Sequence, residues 1–371
     1  MKDEFIVPWS KPWINRSDTK KVKTAVSSGW ISGGPNIELF EKELSNIFQP
    51  RNFLACSNGT AALHLALLSL ELSPGDEVII PGYGFMAAAN VSTLMGLKIK
   101  FADIHLDDFS MDINSIESLI NSRTRVIIAI HTYGYVGNCK ELLEICKKYK
   151  LYLIEDCAEA LFSGNDLYQA GDFGDISTFS FHATKTITTG EGGAISSQNP
   201  DIIGRIKLLR SHGMERQVPY QHEIAGLNYR MTNFQAGLGV SQLKRKEAIK
   251  ERIQNGHHRY EKNFSELFNK YFYKLPHKKF FFPWSYPIVL LGDYGKVGAL
   301  RAILKINKIE TRPGFVSPNK FNYLSFDEGI KNCEHLSKSI LNLPLYSTLT
   351  GKEIDYISEI VIKCLEGDKL E

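Results

Sequence analysis

The chain has 371 residues, 43% of them hydrophobic and 23% charged, and a formal net charge of +3. That length suits two domains better than one, and the balance suits a globular protein with a large core. The charge excludes a nucleic-acid footprint, because basic residues in 140–150 and 244–252 are interleaved with acidic ones, as on solvated helix faces.

From residue 50 to 200 the pattern alternates. Phe53–Cys56 reads as a buried strand and Thr60–Leu72 as a helix apolar almost all round. Glu77–Ile80 is a strand closed by Pro81-Gly82, and Phe85–Met95 is helical. Strands follow at Lys98–Asp103, Val126–Ile130, Leu151–Ile154, Ile176–Phe181 and Ala194–Ser197. Helices are expected at Ile113–Ile120 and Cys139–Tyr149, the latter with Leu142, Leu143 and Ile145 on its apolar side. Short apolar strands separated by helix-length segments predict an α/β fold with a mostly parallel sheet covered on both faces.

The segment 234–272 is helical and charged, and is followed by a strand at Tyr286–Leu291, a helix at Val297–Ile306 and a strand at Ile309–Arg312. This predicts a large domain over 1–245 and a smaller α+β domain over 246–371. No stretch is long and apolar enough to cross a bilayer, and Met1–Phe5 lacks the apolar core of a signal peptide. The six cysteines contain no C-x-x-C pair, which argues against a metal site or a disulfide framework and for a reducing, cytoplasmic setting.

In a parallel sheet of this kind ligands lie outside the carboxyl ends of the strands. The chemically rich segments fall there: Ser57–Thr60, Pro81–Phe85, His131–Tyr135, Glu155–Glu159 and His182–Lys185. Lys185 stands among Ala183, Thr184 and Thr186, with glycines close behind. That setting suits an amine offered to a bound carbonyl, and equally a surface lysine in a turn. Gly59 and Thr60 open a helix after a strand, as an ordinary N-cap turn or a phosphate turn would. Asp156 at a strand end needs a cation: a pyridinium, or the dipole of a helix start. Phe85 suits either a stacking face or the core, and Ser180 either a phosphate contact or solvent. His131 and His182 also lie at strand ends, where most histidines pack or hydrogen-bond.

Taken together, Ser57-Asn-Gly-Thr-Ala-Ala-Leu63, Gly75-Asp-Glu-Val-Ile-Ile-Pro81, Ile154-Glu-Asp-Cys-Ala-Glu-Ala160, the Ser180–Lys185 pair, Gly190-Glu-Gly-Gly193 and Gly226-Leu-Asn-Tyr-Arg230 occur in one order. The chain thereby resembles the DegT/DnrJ/EryC1/StrS nucleotide-sugar aminotransferases, from Trp30 through Pro313. The resemblance implies the aspartate-aminotransferase fold (fold type I) and pyridoxal 5'-phosphate, with pyridoxamine 5'-phosphate formed in turnover. It implies that Lys185 bonds the cofactor as an internal aldimine and shuttles the proton, and that Asp156 pairs with the pyridinium. Glu159 would lie near the ring's phenolic side or the amino group, and Phe85 would stack on the ring. Gly59, Thr60, Ala61 and Ser180 would bind the phosphate, and Asn228 would reach the phosphate of a neighbouring subunit in a homodimer with shared sites. His131, Arg230 and Arg312 are candidates for substrate contacts.

The implied reaction moves the amino group of L-glutamate to a nucleotide-linked 4-keto-6-deoxy sugar, GDP-4-keto-6-deoxy-D-mannose first among the candidates. Three departures bear on the substrate: His182-Ala-Thr184 replaces a more aromatic tripeptide, and Gly82 and Gly84 stand where serine or threonine is usual. The alternatives are a 3- or 4-aminotransferase of dTDP- or UDP-sugars, a sugar dehydratase, and a regulator that keeps only the fold. Dehydratases of the family carry histidine where this chain has Lys185, which argues against the second.

Overall fold

Apolar runs become the strands of one seven-stranded sheet: β1 (Asn52–Cys56), β2 (Glu77–Pro81), β3 (Lys98–Ala102), β4 (Thr124–Ile130), β5 (Tyr152–Asp156), β6 (Ile176–Ser180) and β7 (Gly193–Ser197). This computed structural model describes residues 6–164, 168–214, 220–276, 281–292, 295–324 and 329–367. The expectation about Met1–Phe5 therefore lies outside the described residues. The sheet order is β1-β7-β6-β5-β4-β2-β3. Strands β2 to β6 pair in parallel with one another, while β7 is antiparallel to both β1 and β6. The expected fold class holds: a mixed, mostly parallel sheet with a smaller unit behind it.

Alternation along each central strand divides the core in two. Ile79, Ile127 and Leu153 pack with Ile116, Leu142 and Ile145, from the helices Ile113–Leu119 and Cys139–Tyr149. Val78, Val126, Ile128 and Ile154 face the other way, against Leu63 and Leu67 of Gly59–Ser69 and Val91 of Ala87–Leu94. Gly59–Ser69 is buried almost all round, as its composition predicts.

Two boundaries differ from expectation in ways that matter for the site. Strand β5 runs two residues further than the apolar run, to Asp156, because β4 and β6 both supply ladder partners there (Ile130↔Asp156 and Asp156↔Thr178). The helix after β2 begins at Ala87, so Phe85 lies in the preceding turn. Helices Arg16–Ser27, Pro35–Ile47 and Pro200–Leu209 complete this part.

The long helical segment is two helices, Asn233–Leu243 and Lys246–Asn263, and the division expected near residue 245 falls in the interruption between them. One buried cluster continues across it, joining Phe40 and Val240 to Tyr260, Phe264 and Ile354. The C-terminal part holds a three-stranded antiparallel sheet, β8 (Tyr286–Val289), β9 (Arg312–Pro313) and β10 (Ile340–Leu343), ordered β8-β10-β9. The strand expected over 309–312 is reduced to β9, with Ile309 bridging to Val7 instead. Helices Gly295–Ile306 and Gly351–Glu366 share a buried cluster with this sheet, and Lys331–Ser339 is tied to the large sheet by the Cys333 N–H, which donates to Asp103 at 3.1 Å. Among the described residues no helix is long and apolar enough to cross a membrane.

Strand β7 brings two strand ends together. Gly193 pairs with Cys56 on one side and Ser180 on the other. A Cβ at Gly193 would overlap the Asn58 carbonyl and come within 2.8 Å of the Gly59 nitrogen. Only glycine lets the turn after β1 close over β7. Gly193→Ala is expected to destabilise the protein by about 1–3 kcal/mol, as overpacking does. A lowered denaturant midpoint is the measurement that checks it.

Candidate active site

Five strand ends meet at one edge of the large sheet. Asn58 and Gly59 follow β1, Phe85 follows β2, His131–Tyr133 follow β4, Asp156 ends β5, and Ser180 ends β6 with Lys185 in the loop beyond. Asp156 and Glu155 are neighbours in a strand, so their side chains point to opposite faces. Glu155 turns inward, where it accepts from His131 Nε2 at 2.9 Å and from the N–H groups of Gly171 and Phe173 at 3.0 and 2.8 Å. Burial pushes its pKa up, but these bonds more than offset that and hold it below the usual carboxylate value.

Asp156 turns to the site. It is 6% exposed and has no ion pair among the described residues; one carboxylate oxygen accepts from the Ala158 N–H at 3.0 Å. Burial raises its pKa from 3.8 to about 6, against the opposing influence of the Ala158 N–H and the Lys185 and His131 charges. Lys185 and Asp156 thus belong to one electrostatic site.

The Lys185 amine lies 3.4 Å from Glu159 Oε1 and 4.1 Å from the centre of the Trp284 ring. The other Glu159 oxygen accepts from the Tyr133 N–H at 3.0 Å. Tyr133 holds a left-handed backbone, φ +57°, which aims that N–H into the site. Its ring is held from three sides: its hydroxyl meets Tyr83 Oη at 2.9 Å, Asn342 Nδ2 donates to it at 3.1 Å, and Phe315 stacks at 5.4 Å. Trp284 Nε1 donates to the Thr184 carbonyl at 3.1 Å, tying the C-terminal part to the lysine loop.

The corner at the end of β1 is built from backbone. The Asn58 side chain accepts from the Ala61 N–H at 2.8 Å and caps the helix. The other first-turn N–H groups have no intrahelical partner and carry the positive end of the dipole. A Cβ at Gly59 would stand 2.9 Å from Ser180 Cβ, so the serine and the helix start form one cradle. Thr60 is exposed beside it and Ala61 is buried. Ser57 N–H donates to the Tyr229 carbonyl at 2.9 Å, and Arg230 bridges to Cys56. Tyr229 and Arg230 therefore lie beside this corner, while Asn228 bridges to Ser211 and accepts at Oδ1 from Arg230 Nε at 3.0 Å.

The remaining candidates are spread more widely. Phe85 is 63% exposed and meets Phe315 edge-on at 6.4 Å. Arg312 lies at the rim, paired with Glu310 at 2.7 Å and 6.0 Å from the Trp9 ring; Trp9 in turn meets Trp284 at 6.2 Å. His131 requires a correction. It is 2% exposed, with Nε2 on Glu155, so it braces the floor and does not face a substrate. Its companion His182 is exposed and bonds Thr184 Oγ1 at 3.0 Å. Sequence reasoning gave no role to Tyr133, although it lies in the strand-end segment His131–Tyr135, and missed Trp284 and Asn342, whose only advance sign was their aromatic or amide character.

These residues fit pyridoxal phosphate. The glycine-lined helix start and Ser180 suit a phosphate, the buried Asp156, without an ion pair among the described residues, suits a pyridinium, and Lys185 suits a carbonyl carbon. Comparison with known proteins agrees. The model of the DegT/DnrJ/EryC1/StrS aminotransferase family matches residues 12–362. The chain is 34% identical to GDP-perosamine synthase of Caulobacter vibrioides and 31% to that of Vibrio cholerae, covering 96% of this chain and 98% of each relative. It is 29% identical to UDP-4-amino-4,6-dideoxy-N-acetyl-beta-L-altrosamine transaminase of Campylobacter jejuni, over 98% of this chain and 99% of that one. Among solved structures, Helicobacter pylori PseC, an aminotransferase of pseudoaminic acid biosynthesis, superposes with TM-score 0.92 at 28% identity, covering 97% of this chain and 99% of that one. The sugar aminotransferase Spr1654 of Streptococcus pneumoniae, solved in its PMP form, also gives 0.92 at 27% identity, over 98% of each chain. The chain belongs to the DegT/DnrJ/EryC1/StrS family of pyridoxal-phosphate-dependent sugar aminotransferases.

Asp156 generates a pH prediction. Its folded pKa, about 6, lies above its ordinary 3.8. Its contribution to stability is therefore fully present below pH 3.8 and is lost as pH rises through about 6. In the cofactor-free protein, Asp156→Asn is expected to raise the thermal midpoint at pH 8 by a margin that vanishes near pH 4. The same change should weaken cofactor retention roughly 100-fold, the cost of leaving a buried pyridinium unpaired. Melting curves across pH and equilibrium dialysis check the two halves.

Proposed function

We propose that the chain transfers the amino group of L-glutamate to a nucleotide-linked 4-keto-6-deoxy sugar, converting GDP-4-keto-6-deoxy-D-mannose to GDP-perosamine for a surface polysaccharide such as O-antigen. The observation that carries the chemistry is the convergence of Lys185, Glu159 and Asp156 at the strand ends. The GDP-linked substrate is supported by the two perosamine synthases, similar along nearly their whole length.

When bound, pyridoxal phosphate supplies a carbonyl carbon that accepts amines and a ring that takes up an electron pair. The chain does the rest. The N–H groups at the start of Gly59–Ser69 and the Ser180 hydroxyl hold the phosphate, and Phe85 covers one face of the ring. Asp156, ionised, keeps a proton on the ring nitrogen. Lys185 Nζ, once free, takes the proton from Cα of L-glutamate and later returns one to the carbon of the sugar that receives nitrogen. Glu159 holds Nζ in place, and its own orientation comes from the Tyr133 N–H. Trp284, Tyr133 and Phe315 form an apolar wall that limits water beside the amine. Arg230 and Arg312 supply positive charge for a diphosphate or for glutamate carboxylates. In a homodimer, Asn228 would reach the phosphate of the partner's site, and the enzyme would work in the cytoplasm.

A second reading, amination of a UDP- or dTDP-linked ketosugar, is favoured by the Campylobacter transaminase at nearly the same identity and by Gly82, Gly84 and His182-Ala-Thr184. Lys185→Ala is expected to lower turnover by about 1,000-fold or more and to leave a cofactor–sugar adduct visible in the absorbance spectrum. A variant turning over at the wild-type rate would refute the role. Offered GDP-, dTDP- and UDP-linked 4-keto-6-deoxy sugars, the enzyme should prefer the GDP sugar by roughly tenfold or more in kcat/KM. A preference for either other nucleotide establishes the second reading.

A further inference from the structure

Two groups from distant parts of the chain meet the free Lys185 amine. Glu159 Oε1 lies 3.4 Å from Nζ, and the face of Trp284 lies 4.1 Å away. Trp284 has little freedom to leave. Its Nε1 donates to the carbonyl of Thr184, the residue before the lysine, at 3.1 Å. Its ring is parallel to that of Tyr133, 5° apart in plane with centroids 6.5 Å apart, and meets Trp9 edge-on. Tyr133 in turn orients Glu159 through its backbone N–H. The ring that faces the amine is therefore stacked on the residue that aims the carboxylate. Lys185 and Glu159 are 15% and 9% exposed, so water competes little for the ammonium. An ammonium over a desolvated indole gains more than over a phenyl ring, and an aliphatic side chain offers no such attraction.

We propose that Trp284 is a positioning residue for Lys185: with Glu159 it forms a seat that holds the amine during the part of each turnover when it has left the cofactor. The inference rests on the reading of Lys185 as the residue that bonds the cofactor carbonyl carbon. In the exchange, the incoming amine forms one carbon–nitrogen bond, the bond to Nζ breaks, and protons of the incoming ammonium pass to Nζ; nothing is oxidised or reduced. A seat that stabilises the released ammonium favours this exchange and leaves the binding of the donor's carboxylates alone; Nζ then passes one proton to Glu159 Oε1, 3.4 Å away, and is neutral when it serves as the base.

The test uses holoenzyme and 2-methylglutamate, a donor analogue with no α-hydrogen, so that reaction stops after the exchange. The absorbance of the cofactor reports the equilibrium in wild type, Trp284→Phe and Trp284→Leu. The half-saturating concentration is expected to rise roughly tenfold in Trp284→Leu and about threefold in Trp284→Phe. Glutarate, which has the carboxylates but no amine, should bind all three proteins alike by calorimetry. An unchanged exchange equilibrium overturns the proposal. An equal loss of glutarate affinity also overturns it, because Trp284 would then contact the donor directly. If Trp284→Leu does not fold, Trp284→Phe decides: a rise supports the seat and no rise refutes it. Borohydride reduction of wild-type holoenzyme, followed by peptide mass mapping, tests the underlying reading separately. Cofactor fixed anywhere but Lys185 overturns that reading and the seat with it.

Discussion

A carboxylate at the end of a central strand, almost fully shielded from water, sets the terms of this structure. Asp156 cannot turn to solvent, because β4 and β6 flank its strand on both sides. Burial accordingly raises its pKa to about 6. A protonated ring nitrogen would offset that burial, and the start of Gly59–Ser69 and the Lys185 amine suit the two ends of such a ring.

The sheet supplies the precision. Parallel strands deliver their carboxyl ends to one edge, so residues far apart in sequence arrive within a few ångströms. Strand alternation then divides adjacent acids between two tasks. Glu155 faces the protein, where His131 and backbone N–H groups keep it ionised. Asp156 faces the site, where the Ala158 N–H is the one donor to its carboxylate among the described residues. A shift of one residue in β5 would exchange the roles and destroy the site.

The C-terminal part closes the other side. Trp284 lies just before β8, Phe315 just after β9, and Asn342 within β10. Their contacts with Lys185, Tyr133 and Tyr83 tie the small sheet to the edge of the large one. The buried cluster shared by Phe40, Val240, Phe264 and Ile354 gives that tie a rigid backing. The two parts of the chain thus share a core and a site.

Much of this was legible in advance. Apolar runs and their spacing identified the strands and most helices, because burial of a strand or a helix face leaves a local period in the chain. Lys185, Asp156, Gly59 and Ser180 could be picked out because a ligand at strand ends demands small residues and isolated charges at predictable places. Trp284 could not, since its partner Thr184 lies 100 residues away and nothing local records the pairing. Nor could the fate of His131, which depends on the way a side chain turns after β4. The extension of β5 through two acids was hidden for a related reason: their ladder partners come from other strands. The amino-acid order by itself determined which segments bury their backbone and where the chemistry gathers. Only the tertiary structure decided which groups face one another, because that rests on long-range strand pairing and domain packing, which no short window of residues contains.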